Sequence, residues 1–182
     1  QQADWRAVPR HDVLMASPAC QGHSNARGKE RPHHDAQRST AWAVVACAEY
    51  HRSPVVIVEN VPAFASWVLY PAWRDAMSRL GYAVAPHLLD AADHGVPQHR
   101  VRLILVCTLT RHPLELDMPQ RAHVAIGDVI EWGAHPWTAI EQPGRSSRTL
   151  ARIGAGRAAF GRRFVAPYYG SGSGLQGRSI DR

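Results

Sequence analysis

The sequence predicts an α/β domain on a mixed, mostly parallel sheet. Three observations predict it. The run "PVVIVEN" (54–60) is continuously apolar with no alternation, the pattern of a parallel strand covered on both faces. Strand-like and helix-like stretches alternate over roughly the first 110 residues, as in layered α/β domains. The 182-residue chain is 45% hydrophobic and 20% charged, an ordinary balance for a domain that buries a core.

The elements follow in order. "DVLMAS" (12–17) is short, apolar and followed by Pro18, which predicts a buried strand. "ARGKERPHH" is a polar loop. Asp35 is the expected N-cap of a helix in which Ala41, Trp42, Val44, Val45 and Ala48 fall at helical spacing. After the strand at 54–60, "PAWRDAMSRLG" (71–81) predicts a helix stopped by Gly81. "YAVAPHLL" (82–89) and "VRLILVCTL" (101–109) are two further strands. They are joined by the turn-rich "DAADHGVPQHR" with no helix between, so they are expected to be antiparallel. Beyond residue 110 the pattern breaks. "AIGDVIEW" predicts a short helix, "SSRTLARIGAGRAAFG" (146–161) a second, "RFVAPYY" a strand and "GSGSGLQG" a loop. Residues 111–177 are therefore read as a separate small recognition region.

Several classes are set aside. No apolar run is long enough to span a bilayer, and no signal peptide opens the chain, so no membrane partner is expected. Three widely spaced cysteines form neither a disulfide framework nor a zinc CxxC pair, which favours a reducing cytoplasm. His33, His34 and Asp35, and His94 with His99, lack standard ligand spacing, so no metal is expected. Gln1 at the start, and "GLQGRSIDR" with no closing element, lead to the expectation of a longer parent protein.

The charge is placed unevenly. Residues 1–142 carry 13 basic against 14 acidic side chains, a net −1, whereas residues 143–182 carry 8 Arg against one Asp, a net +7. Arg145, Arg148, Arg152, Arg157, Arg162, Arg163 and Arg178 are interleaved with aromatics and with Gly172 and Gly174. Guanidinium forks suit phosphates and base edges, so this stretch is the candidate nucleic-acid surface; a merely solvated basic face is the plain alternative.

Chemistry is expected at the carboxyl ends of the strands, where open α/β sheets bind ligands. Cys20 follows the first strand in "SPACQGHS", unlike Cys47 and Cys107, which lie in apolar runs. Glu59 ends the second strand. In "GVPQHRVR", Gln98, Arg100 and Arg102 alternate and are expected on one face of an entering strand. A thiolate is a strong nucleophile, a carboxyl can donate to a ring nitrogen, and guanidinium can hold a carbonyl oxygen. That set suits a pyrimidine attacked at carbon.

"SPACQGHS", "VVIVENVPAF" and "GVPQHRVRLILV" resemble, in order and spacing, three signature motifs of the DNA cytosine-5 methyltransferases, and "GRSIDR" resembles the motif that follows their target-recognition region. The resemblance implies a partial Rossmann-like methyltransferase sheet, with 1–110 a partial catalytic domain, 111–177 the target-recognition region and 178–182 a return to the catalytic domain. It implies base flipping into the site, addition of Cys20 to C6, a hydrogen bond or proton from Glu59 to N3, and a grip on the base oxygen by Arg102 with Arg100. Asn60 and Val61 would shape the turn, and Pro18, Gln21 and Gln98 would support the site. The implied methyl donor is S-adenosylmethionine, with Pro18 touching it; the implied partner is double-stranded DNA, in a bacterial or phage restriction-modification setting. Ala19 stands where the family usually has a second proline, and His23 where Phe is common. The main cofactor site would precede residue 1, so a missing N-terminal segment or a complementing chain is expected as a partner. The GxGxxG at Gly172, Gly174 and Gly177 is not that site, because no helix follows it. The competing readings are a non-catalytic DNA-binding remnant, one piece of a split enzyme, an RNA-directed relative, and a cysteine hydrolase that would leave Glu59 and the arginines without a role.

Overall fold

The computed structural model describes residues 4–19, 40–134, 136, 138–165 and 178–179. Asp35, the expected N-cap, lies outside them. Strands β1 (Val13–Ala16), β2 (Val55–Asn60), β3 (Ala83–Asp90) and β4 (Val101–Thr108) form one sheet in the order β1-β2-β4-β3. Helices α1 (Ala41–His51) and α2 (Tyr70–Arg79) pack on it. The chain divides into two compact units. One holds the residues up to Ala91 together with His99–Gln120; the other holds Ala92–Gln98 and the residues from Arg121 onward.

The sheet is mixed, as expected, but it is not mostly parallel among the described strands. β1 and β2 run parallel, with Ala16 beside Val58. β4 is antiparallel to both β2 and β3. The cause is the missing helix between β3 and β4: without a crossover the chain must return antiparallel. β4 then inserts between β2 and β3. The expectation of two covered faces on β2 is also corrected. Val56, Val58 and Asn60 are buried, whereas Val55, Ile57 and Glu59 are half-buried.

Cross-strand register explains which face is dry. Val56 and Val84 both oppose Cys107, Val58 opposes Leu105, and Asn60 opposes Leu103, so these side chains share the face under the helices. Leu14 and Ala16 of β1 join that face. Trp73 and Phe64, both 0% exposed, fill the space between sheet and helices. The Trp73 indole N–H donates to the Ala41 carbonyl at 2.9 Å and so ties α2 to the first turn of α1. Phe64 meets Trp73 edge-on at 6.0 Å, a favoured aromatic arrangement.

Helix α2 opens on Pro71, whose missing N–H costs nothing in a first turn. It closes as expected at Gly81, which has φ +89°. Gly81 N–H donates to Ser78 O at 2.8 Å and Tyr82 N–H to Met77 O at 3.1 Å, a Schellman closure that needs the left-handed residue.

In the second unit, Ser146 caps α4 (Ser147–Phe160) by accepting from Thr149 N–H at 3.2 Å. A single turn of helix, α3 (Ile126–Val129), precedes it. After α4, β5 (Phe164–Val165) pairs antiparallel with β6 (Arg178–Ser179). Gly156 is buried because the Phe164 ring occupies the space that a Cβ would take.

Candidate active site at the carboxyl ends of the strands

β1 and β2 are parallel neighbours, so their carboxyl ends open side by side. The segment after β1 is held there by two side chains. Asn60, 2% exposed, donates from Nδ2 to the Pro18 carbonyl at 3.2 Å, and its Oδ1 accepts from Val61 N–H at 2.8 Å. Thr40 Oγ1, just before α1, accepts from Ala19 N–H at 3.0 Å. One buried amide thus fixes both the chain leaving β1 and the turn leaving β2. Leaving either group unpaired there would cost on the order of 1–3 kcal/mol. Pro18 and Asn60 are thereby brought together, and Val61 is half-buried at the turn. Cys20 and Gln21 lie outside the described residues; Cys20 is joined covalently to Ala19.

Glu59 and Arg102 also meet. Glu59 opposes Ile104 across the β2–β4 ladder, and Arg102 lies two residues away on the same face, a diagonal that long side chains can span. Arg102 Nε lies 2.8 Å from Glu59 Oε1, with side-chain exposures of 25% and 37%. At that exposure the pair adds about 0–1 kcal/mol of stability, so its consequence is orientation. Arg102 Nη1 donates to the Val101 carbonyl at 2.9 Å. Glu59 Oε2 and Arg102 Nη2 make no hydrogen bond with the described residues.

The expectation that residues 98, 100 and 102 share a strand face is corrected. β4 begins at Val101, so only Arg102 is in the strand. Arg100 is exposed before it, and its N–H donates to Asp90 Oδ1 at 2.8 Å. Gln98 is exposed in the turn, with its N–H on Val96 O at 2.7 Å, and belongs to the other unit. Asp90 also holds His99 Nδ1 at 2.8 Å through Oδ2. Sequence reading missed both Asp90 and Thr40. Neither had a local signal, although an acid at the end of a strand before a turn-rich segment is a fair candidate for bracing its return.

The other cysteines have no part in this site. Cys47 and Cys107 are buried, as their apolar contexts predict, and burial pushes the Cys107 thiol up to about 12. Burial raises Cys47 as well. Such thiols are poor nucleophiles at neutral pH.

On the second unit, Arg148, Arg157, Arg162 and Arg163 are exposed. Arg163 lies over the Trp132 ring at 5.6 Å, and Arg145 donates to the Ala139 carbonyl at 3.2 Å. Arg152 departs from the expected surface set: it is 8% exposed and sits in the body of the unit. Gly172 and Gly174 lie outside the described residues, and Arg178 pairs through its backbone with Val165. Among the described residues no three His, Cys, Asp or Glu side chains gather as a metal site, and no helix is long and apolar enough to cross a membrane.

Comparison with known proteins adds a family. The model of "C-5 cytosine-specific DNA methylase" matches residues 1–134. The type II methyltransferase M.MspI of Moraxella sp is 30% identical over 128 residues, covering 68% of this chain and 31% of that protein. M.HhaI of Haemophilus parahaemolyticus is 29% identical over 109 residues, covering 58% of this chain and 33% of that protein. Among solved structures, the Entamoeba histolytica methyltransferase EhMeth aligns with a TM-score of 0.49 at 20% identity, over 64% of this chain and 38% of that one. The chain spans about a third of the length of these curated relatives.

Proposed function

Because the chain belongs to the C-5 cytosine-specific DNA methylase family, we propose that it carries the catalytic part of a DNA cytosine-5 methyltransferase acting on double-stranded DNA in the cytoplasm. The observation that carries the reading is the Glu59–Arg102 pair at 2.8 Å, set beside the Asn60 tether on the chain that leads to Cys20. A cytosine within a duplex presents no face to a nucleophile, so the base must be flipped out. Cys20 thiolate adds to C6. Glu59 Oε2 donates or accepts at N3, where charge builds, while its other oxygen is fixed by Arg102. Arg102 Nη2 holds the base oxygen, and Arg100 orders the approach. Fixed donors aimed at developing charge stabilise it without reorganising. S-adenosylmethionine, when bound, supplies the methyl group to C5. Loss of the C5 proton and elimination of the Cys20 thiol then restore the aromatic ring. The Pro18 carbonyl accepts from Asn60, and a carbonyl oxygen can accept a second hydrogen bond, so this residue suits its expected contact with a donor N–H of the cofactor.

The exposed arginines of the second unit, Arg148, Arg157, Arg162 and Arg163, are the proposed phosphate contacts, with Arg145 and Arg178 alongside. Arg152 is withdrawn from that set by its burial. The outer edge of β1 pairs with no described strand, and Val13 and Met15 on it are 49% and 76% exposed. An open apolar edge favours pairing, so the proposed complement is a strand from a segment outside this chain or from a complementing chain that also carries the main cofactor site.

Glu59→Gln tests the reading. It keeps the shape and a hydrogen-bonding oxygen for Arg102 but removes the acid, and methyl transfer to DNA is expected to fall about 10²–10³-fold. Tritium counting from labelled S-adenosylmethionine, on the protein with its complement present, measures it. Wild-type rates in this variant would contradict the role.

A further inference from the structure

A cavity lies at the end of the sheet opposite Glu59. Val55 N–H donates to Asp12 O at 3.1 Å, which puts residues 9–12 at the amino ends of β1 and β2. Glu59 is four residues further along β2, roughly 13 Å away at 3.3 Å per residue. The cavity is about 650 Å³ in volume, within the size range of small-ligand sites, and is lined by Arg6, Pro9, Arg10, Tyr50, His51 and Arg52 among others. Among the described residues no carboxylate lines it.

Its walls are built rather than incidental. α1 is capped by Arg52 in the left-handed region at φ 55°, an unusual choice for a residue with a side chain. Arg52 N–H caps Ala48 O at 2.9 Å, its guanidinium donates to the Leu80 carbonyl, and it lies 6.0 Å from the Tyr82 ring centre. This fixes the end of α1 beside the cavity. His11 fixes the facing segment: its Nδ1 lies 2.8 Å from Pro9 O, and since a carbonyl only accepts, Nδ1 carries the proton. The His11 and His51 rings pack at 4.6 Å. His51 is 8% exposed, and its Nε2 has no hydrogen-bond partner among the described residues, an unusual deficit for a buried polar atom. Arg6 is ion-paired with Asp4 at 3.2 Å, whereas Arg10 has no ion pair among the described residues. Tyr50 is 52% exposed and stands edge-on to His51 at 4.8 Å.

Guanidinium groups without a lining acid select an anion, and their planar forks match phosphate oxygens. An exposed aromatic ring beside them offers a stacking surface for a flat body. We infer that this cavity is a mononucleotide site, with the phosphate on Arg10, the base on Tyr50, and the buried His51 completing the polar contacts. It is separate from the methyl-transfer site, and its readouts do not depend on that reading.

The test uses guanosine monophosphate on the full 182-residue chain, because guanine avoids overlap with a site that recognises adenosine. Calorimetry is expected to show binding at least tenfold tighter than for guanosine or inorganic phosphate alone, with the His51 imidazole resonances shifting on titration. Arg10→Gln should weaken guanosine monophosphate at least tenfold. Tyr50→Ala should bring it to the level of inorganic phosphate while leaving phosphate itself unchanged. Both side chains are exposed, so circular dichroism should report intact folds. Unmoved His51 resonances, equal binding of guanosine, or unchanged affinity in both variants would overturn the assignment. So would displacement of the nucleotide from His51 by a duplex oligonucleotide, which would make the cavity part of the DNA path.

Discussion

Replacing Cys20 with Ser is expected to abolish methyl transfer while leaving DNA affinity nearly unchanged. The reason is nucleophilicity. A thiol near its ordinary pKa of about 8.5 is a few per cent ionised at neutral pH and intrinsically reactive, whereas a serine hydroxyl without a partner base is almost entirely protonated. The alteration is one atom, so contacts with DNA, which are proposed to rest on the arginines of the second unit, should persist. Cys47→Ala and Cys107→Ala serve as controls. Their thiols are buried in the core, and burial raises both, so neither should lower chemistry beyond what lost packing does to stability. Label transfer from S-adenosylmethionine and DNA binding by fluorescence anisotropy separate the two effects. Wild-type turnover in the Cys20→Ser variant would remove the covalent mechanism.

Trp73→Ala is expected to be the most damaging single change to the fold. Trp73 is 0% exposed, packs between Phe64 and Tyr70 at 6.0 and 6.4 Å, and donates its only N–H to Ala41 O. Removing a buried indole costs about 3–5 kcal/mol through lost transfer energy and an unfilled cavity. The loss falls on the contact that joins α1 to α2, and α1 opens beside Thr40, which holds Ala19. Packing in this core therefore reaches Ala19, the residue before the proposed nucleophile Cys20. Urea denaturation should show the midpoint falling steeply with little alteration of slope, and Trp73→Phe should lose about half as much. A loss under about 1 kcal/mol for Trp73→Ala would mean that the two helices are held by something else.

How much of this was legible depended on how local each cause is. The strands at 13–16, 55–60 and 101–108 and the helix ending before Gly81 were readable because apolar runs and a left-handed glycine act within a few residues. Strand direction was only half readable. The β3–β4 return followed from the absence of a crossover helix, but nothing local in "VVIVEN" specifies an antiparallel neighbour on one side and a parallel one on the other. The site divided in the same way. Glu59 and Arg102 were candidates by residue type and position, yet the diagonal that joins them depends on the β2–β4 register. Asp90 holding Arg100 and Thr40 holding Ala19 link residues 10 and 21 positions apart, and such polar tethers leave no periodic trace. Arg152 looked like its arginine neighbours in the sequence, and only packing of the second unit separates it from them.

The central claim is a covalent bond between one sulfur and a cytosine ring. It is tested most directly with duplex DNA carrying 5-fluorocytosine, in which the fluorine blocks the last elimination. Incubation with the protein, its complement and S-adenosylmethionine should give a denaturation-resistant protein–DNA species, and peptide mass spectrometry should place the modified base on Cys20. A species linked elsewhere, or none under conditions in which unmodified DNA is methylated, would contradict it.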